Sequence, residues 1–131
     1  MTNADVQAWL DRYVDAWASY DPAGIGDLFS ADVSYRYHAG DDPVVGRAAI
    51  VADWLYPGGD PAGRDAPGSW QAHYEPYVVL GDRAVAVGTT EYDPTEADPA
   101  RIYDNCWLLE FDADGRCSTF VEYFNRRRDE V

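Results

Sequence analysis

Apolar residues return every three or four positions from Val6 onward: Val6, Trp9, Leu10, Tyr13, Val14, Trp17 and Tyr20. They fall on one face of a 3.6-residue period, so residues 5–20 read as an amphipathic helix, with Asn3 or Thr2 able to cap it. Asp21 as N-cap and Pro22 in the first turn open a short second helix over 22–29, striped by Ile25, Leu28 and Phe29. The period then changes. Residues 33–38 alternate as a strand, 39–45 form a loop with Gly40 and Pro43, and Gly46 precedes a third helix over 47–55. Residues 56–69 hold three Pro and four Gly, which exclude regular structure and predict a flap or mouth loop. A long strand over 70–80 turns at Gly81-Asp82 into a second, 83–92, and 93–100 is an exposed turn.

The last stretch, residues 103–124, reads as a long β-hairpin around Asp112-Ala113-Asp114-Gly115. A four-residue loop would pair Phe111 with Arg116, Leu109 with Ser118, Trp107 with Phe120 and Asn105 with Glu122. Alternation then puts these residues on one face, aromatic and aliphatic except for one amide and one carboxyl. A carboxylate among rings is expensive to bury unpaired, which marks Glu122. Helices first and antiparallel strands after give an α+β fold. The expected form is one domain over 1–131, a conical, curved antiparallel sheet closed on one side by the N-terminal helices and enclosing a pocket.

Composition narrows the partners. With 47% hydrophobic and 15% aromatic residues, the chain can build a core. A net charge of −14 repels phosphate backbones, so nucleic acid is not an expected partner. The one basic run, Arg126-Arg127-Arg128, is followed by Asp129 and Glu130 and reads as a solvated end. Cys106 and Cys117 lie on neighbouring strands but not opposite each other, so no disulfide is expected. Neither has CxxC or CxxH spacing, so no metal is expected either. The start, MTNADVQAW, has no basic or apolar leader region, and no apolar run approaches membrane-spanning length. The expectation is a soluble cytoplasmic protein with no membrane partner. No GxSxG, Walker loop, dinucleotide fingerprint or HExxH occurs, and no cofactor is expected.

RYVDAWASYDPAGIGDLFSADVSY followed by GDDPVVGRAAI resembles the nuclear transport factor 2-like superfamily, in its SnoaL-like and ketosteroid-isomerase-like branch. The shared features are the first helix, the LF-A-D stop and the G-x-x-P-x-x-G-x-A-A-I return into the third helix; FDADGRCSTFVEYF fits the last hairpin. The resemblance covers nearly the whole chain. It implies a homodimer through the convex face of the sheet, which includes Cys106 and Leu108. The isomerase's oxyanion-binding tyrosine falls on Tyr13. Its proton-shuttling aspartate falls on Tyr37, and its second aspartate on or next to Trp107, so the base and acid of that reaction are missing. The essential last-strand aspartate of SnoaL-type cyclases and of this fold's epoxide hydrolases falls on Glu122. The hydrolases' arginine falls on Glu91. Scytalone dehydratase is similar around Trp70-Gln71-Ala72-His73, where its strand carries a catalytic histidine.

Four residues are therefore candidates for chemistry: Glu122 as proton shuttle, Tyr13 and Asn105 as polar stabilisers, and His73 as an auxiliary acid or base. Trp17, Tyr35, Tyr37, Trp54, Trp107 and Phe120 are candidate walls for an apolar small-molecule ligand. The expected function is a cofactor-independent isomerase-, cyclase- or hydratase-type enzyme, moving a proton on an apolar cyclic or polyketide-like metabolite. The alternatives are a non-catalytic ligand-binding or dimerisation module of the same fold, and a subunit that supports another enzyme.

Overall fold

A computed structural model describes residues 1–128. Asp129 and Glu130, which follow the basic run, lie outside the described residues. Three helices lie in the first half of the chain: α1 (Asn3–Ser19), α2 (Pro22–Asp27) and α3 (Arg47–Leu55). The strands are β1 (Phe29–Arg36), β2 (Val44–Val45), β3 (Trp70–Leu80), β4 (Arg83–Tyr92), β5 (Arg101–Phe111) and β6 (Cys117–Arg126). They form one curved sheet in the order β2-β1-β6-β5-β4-β3. The fold is α+β, with the helices against the concave face.

Local chemistry explains the helix ends. Thr2 caps α1 and Asp5 bonds back to the Thr2 backbone, a reciprocal capping box. Tyr20, read from the periodicity as the helix's last residue, instead takes the left-handed conformation (φ 51°) and closes α1 by donating its N–H to the Ala16 carbonyl. Val6, Trp9, Leu10 and Tyr13 are buried as the period predicts, and the Trp9 indole donates to the Leu28 carbonyl at 2.9 Å. Asp21 caps α2, while Phe29 belongs to β1 rather than to the helix.

β1 starts four residues earlier than the alternation indicates and stops at Arg36, before His38. Its pairing with β6 shifts register between Phe29 and Ser34, and Phe29 and Ser30 are both buried, so the period of two is broken where the strand begins. The β1–β6 pairing is parallel, whereas β3 to β6 form an antiparallel meander. Within the loop over 39–45, Val44 and Val45 pair with β1 as a short edge strand. The 56–69 segment contains two single 3₁₀ turns, Pro57–Gly59 and Pro61–Gly63. β3 is the outer strand of its side and carries Pro76, a residue that an inner strand would not tolerate.

The last hairpin keeps its faces and changes its partners. Phe111 pairs with Cys117, Leu109 with Phe120, Trp107 with Glu122 and Asn105 with Phe124. Two causes add. The turn is one residue longer, with Gly115 at φ 78° and the Asp112 carboxylate accepting from the N–H groups of Asp114 and Arg116. Ser118 is then an extra residue between the Phe111–Cys117 and Glu110–Thr119 pairs. A net slip of two residues leaves Phe120 and Glu122 on their expected face, where a slip of one would have inverted them; only Cys117, before the extra residue, changes sides and turns into the core opposite Phe111.

One glycine positions the site from below. Gly88 faces Tyr74 across the β3–β4 ladder, and the Tyr74 hydroxyl reaches Thr90, two residues further along β4, at 2.6 Å. A Cβ on Gly88 would overlap the His73 carbonyl oxygen and lie 2.6 Å from the Tyr74 ring. The ring can cross β4 only because position 88 is bare. Gly88→Ala is expected to destabilise the fold by about 2 kcal/mol through this overpacking. Urea unfolding checks this, and an unchanged midpoint would mean that the strands part there without strain.

Candidate functional site

β6 contributes Phe120, Glu122 and Phe124 to the concave side, and β5 contributes Arg101, Tyr103, Asn105, Trp107 and Leu109. Between this surface and the helices lies a cavity of about 370 Å³. Tyr13, Tyr35, Tyr37 and Trp54 enclose its deep part together with Glu122 and Asn105. Trp17, Asp65, Tyr92, Arg101, Tyr103 and Phe124 complete the lining.

Among the described residues, Glu122 is the only carboxylate held among the deep rings. Its Oε2 accepts a short hydrogen bond from the Trp107 indole N–H and a long one, 3.5 Å, from Asn105 Nδ2. No hydrogen bond from a described residue reaches Oε1. The amide orientation of Asn105 follows from the carboxylate, which only accepts and so takes the Nδ2 side. Thr90 Oγ1 donates to Asn105 Oδ1 at 2.9 Å, and a hydroxyl has one proton, so Tyr74 must be the donor in its contact with Thr90. The chain Tyr74, Thr90, Asn105, Glu122 therefore runs one way, each group donating to the next and the carboxylate accepting last. These donors and the nearby His38 favour the charged carboxylate, but burial outweighs them and raises the Glu122 pKa above the usual glutamate range.

The phenols above it are neutral donors. Tyr13 and Tyr35 share a hydrogen bond of 2.8 Å between their hydroxyls. Burial raises both pKa values well above the tyrosine range, with the Glu122 charge the next cause for Tyr13 and the Tyr13 phenol the next for Tyr35. Tyr37 is raised by burial and then by the neighbouring Asp53. Below them Phe120 stacks on Tyr35 with ring centroids 4.1 Å apart and planes 3° from parallel. Trp107 packs against Tyr13 and Tyr74 at 4.8 and 4.2 Å. Trp107 and Phe120 thus form a second layer behind the cavity surface, Trp107 reaching the site through its N–H.

The mouth is tied to α1. Trp17 donates its indole N–H to Asp65 at 3.0 Å and stacks on Trp70 at 3.6 Å. The Asp65 backbone N–H donates to the Tyr20 hydroxyl at 2.9 Å. The irregular 56–69 segment therefore does border the cavity mouth, through Asp65.

Of the residues singled out in the sequence, Glu122, Asn105, Tyr13, Trp17, Tyr35, Tyr37 and Trp54 come together at the cavity. His73 does not. β3 turns Trp70, Ala72 and Tyr74 inward, and His73 is exposed on the outer side. Glu91 is likewise exposed, while its neighbours Thr90 and Tyr92 face in. Arg126 does not pair with Glu122; in the same run Arg127 grips Asp104 through two hydrogen bonds of 3.0 and 2.8 Å. Thr90, Tyr92, Tyr103, Arg101, Asp65 and Phe124 were not anticipated. Residues 90, 92, 101, 103 and 124 have the inward parity of their strands, which is the signal that would have found them. Asp65, in an irregular loop, carries no such signal. Among the described residues no cluster of three His, Cys, Asp or Glu side chains could hold a metal ion, and no helix is long and apolar enough to cross a membrane.

Comparison with known proteins agrees with this geometry. A family model described as the SnoaL-like domain matches residues 10–120. No curated protein matches the chain. Two solved structures share the fold. An NTF-2-like protein of unknown function from Burkholderia xenovorans superposes with a TM-score of 0.68 at 17% identity, over 98% of this chain and 88% of that one. An LEH-like epoxide hydrolase from M. tuberculosis superposes with a TM-score of 0.65 at 13% identity, over 94% of this chain and 84% of that one. At such identities the two structures speak for the fold alone. With the family model spanning residues 10–120, the chain belongs to the SnoaL-like family of the nuclear transport factor 2-like superfamily.

Proposed function

We propose that the cavity binds an apolar cyclic or polyketide-like metabolite and that Glu122 moves a proton on it without a cofactor, in an isomerase-, cyclase- or hydratase-type reaction. One observation carries this reading: a carboxylate with a raised pKa lies among aromatic rings, with both of its hydrogen bonds on Oε2. That leaves Oε1 to exchange the proton. A base raised towards neutrality is matched to general acid–base work. The Tyr13–Tyr35 pair supplies neutral donors for charge that develops on a ligand oxygen, and Asn105 orients the carboxylate. His73 is left out of this scheme because it lies on the outer face. The two free thiols, Cys117 buried and Cys106 half-buried, fit the cytoplasm as the working compartment.

The outer face supports a homodimer. Leu80, Val78 and Leu108 are 79, 50 and 41% exposed there, and Val85 and Val121 line the same groove. The Arg83–Glu110 pair, at 2.9 Å, flanks it. A monomer rarely leaves so continuous an apolar patch uncovered. Leu108→Glu is expected to shift the chain to a monomer in light scattering at micromolar concentration; a wild-type monomer under those conditions would overturn the dimer.

Glu122→Gln keeps the shape and removes the exchangeable proton. Turnover should fall by roughly 10²–10⁴-fold while ligand affinity changes little. Loss of affinity with turnover intact would make Glu122 a recognition residue, and a ligand bound but never turned over would favour the non-catalytic module. In the wild type, kcat/KM should rise along an acid limb centred above the usual glutamate range, since the base works deprotonated; a flat profile would count against Glu122.

Stability gives a check that needs no substrate. The folded-state pKa of Glu122 is raised above its unfolded value, so its contribution to stability is fully present below the unfolded pKa. That contribution is lost as pH rises through the folded pKa. Glu122→Gln should therefore raise Tm at neutral pH, with the gain shrinking as pH falls into the ordinary carboxylate range. A gain that does not depend on pH would show that Glu122 titrates normally.

A further inference from the structure

At the mouth of the cavity one cationic side chain is left without an acceptor. Arg101 opens β5 and lines the cavity. Tyr92 stands directly across the ladder, and the guanidinium carbon lies 4.5 Å from the centre of its ring. Stacked in this way, the guanidinium rests on the phenol while the hydrogen-bonding edge of its planar fork stays free. Arg101 Nη1 is buried and has no hydrogen-bond partner among the described residues. Arg116 Nε is without a partner too, but lies at the hairpin turn away from the cavity, and four other arginines are better supplied. Arg47 and Arg64 donate to the Phe29 and Leu55 carbonyls, and Arg83 and Arg127 pair with Glu110 and Asp104. Two carboxylates share the cavity with Arg101 and neither pairs with it: Asp65 accepts from Trp17, and Glu122 from Trp107 and Asn105.

A buried donor left without an acceptor is unfavourable. A ligand oxygen would remove that deficit. A planar pair of oxygens fits the fork best, because both can be reached at once. Among the described residues Arg101 is also the only cationic side chain lining the cavity, and the chain as a whole carries −14. One cation suits a single negative charge and leaves the second charge of a phosphate unmatched. We propose that Arg101 anchors the carboxylate of an aromatic or cyclic carboxylic acid. The acid group is held at the mouth beside Tyr92, and the ring system extends inward between Trp17, Tyr103 and Tyr35 towards Glu122. The inference rests on reading the cavity as a ligand site and names the class of ligand it takes.

The test uses 2-naphthoate and its neutral counterpart 2-naphthamide, which share a ring and a planar head group. Each is titrated calorimetrically into the full chain at pH 7 and low salt. Wild type is expected to bind the acid about tenfold more tightly than the amide, a charge-assisted bidentate contact being roughly twice as strong as a neutral one. Arg101→Gln should abolish the preference while leaving amide affinity within about twofold, and Arg101→Lys should restore part of it, as a point charge without the fork. Circular dichroism of each variant confirms folding. An amide bound as tightly as the acid by wild type, a preference that survives in Arg101→Gln, or no binding of either probe at millimolar concentration would each overturn the proposal. Glu122→Gln, titrated alongside, separates the two readings. Acid preference retained there with no turnover of any substrate would support the anchor and sink proton transfer. Turnover that depends on Glu122 with no acid preference would do the reverse.

Discussion

A single carboxylate held inside a shell of rings constrains the rest of this structure. Burial alone would drive Glu122 to protonate or to turn outward, since a charge without partners in an apolar cavity is among the least tolerable features of a fold. Two donors from the neighbouring strand hold it in place, the Trp107 indole and the Asn105 amide. Both depend on the β5–β6 register, which places Trp107 directly opposite Glu122 and Asn105 one step along the same face. The hairpin turn at Gly115 and the extra residue at Ser118 set that register. Backbone geometry at one end of the sheet thus determines which groups meet the carboxylate further along it.

The donors are themselves arranged from further off. Asn105 could present either its oxygen or its nitrogen to Glu122, and only the nitrogen is compatible with a carboxylate. The carboxylate therefore fixes the amide, whose oxygen then accepts from the Thr90 hydroxyl, and the Thr90 oxygen accepts from Tyr74 in turn. Tyr74 can reach across β4 because Gly88 has no side chain. The contacts run from a bare backbone position, through a ring laid over a strand, to the amide of Asn105, the residue paired with Gly88 on the next strand. Such a network rigidifies a site when every member is satisfied, and here each hydroxyl and amide oxygen in it has a partner.

The same chain of causes explains what the sequence could and could not disclose. The helix periods were plain because α1 buries one face only, and residues 47–55, 70–80 and 83–92 were bounded by their turn residues. The face of Glu122 was legible although its partners were not, since strand alternation survives a two-residue slip that pairing does not. β1 was half hidden because its pairing with β6 shifts between Phe29 and Ser34. The side of His73 was ambiguous for a related reason. β3 has apolar residues of both parities, with Trp70, Ala72 and Tyr74 inward and Tyr77, Val78 and Leu80 exposed after the irregularity near Pro76. Alternation alone does not say which set meets the core. Arg101 follows a polar turn and looks solvated in sequence; its place at the mouth depends on Tyr92, a partner nine residues from it across the exposed turn. Asp65 has no pattern at all, because its place follows from where Trp17 and Tyr20 leave α1.

The deep half of the cavity combines opposing demands in a way that suits proton transfer. A base must be strong enough to take a proton and must not be so solvated that it ignores the ligand. Burial supplies the first by raising the pKa of Glu122, and the two donors keep the rise limited by favouring its charged form. Because both donors sit on Oε2, neither has to move when Oε1 gains or loses a proton, which keeps reorganisation small. The negative charge that would leave Glu122 when it takes a proton must then reside on the ligand. Tyr13 and Tyr35 are the groups placed to receive it. Their phenols are kept neutral by the same burial, and since one donates to the other, the remaining hydroxyl proton can be given to an oxyanion without competing for the proton on Glu122. One physical cause, exclusion of water by the aromatic shell, thereby strengthens the base and preserves the donors together. A more polar cavity would weaken both, so substitutions that admit water near Phe120 or Trp54 act on the chemistry even though neither side chain carries a proton in it.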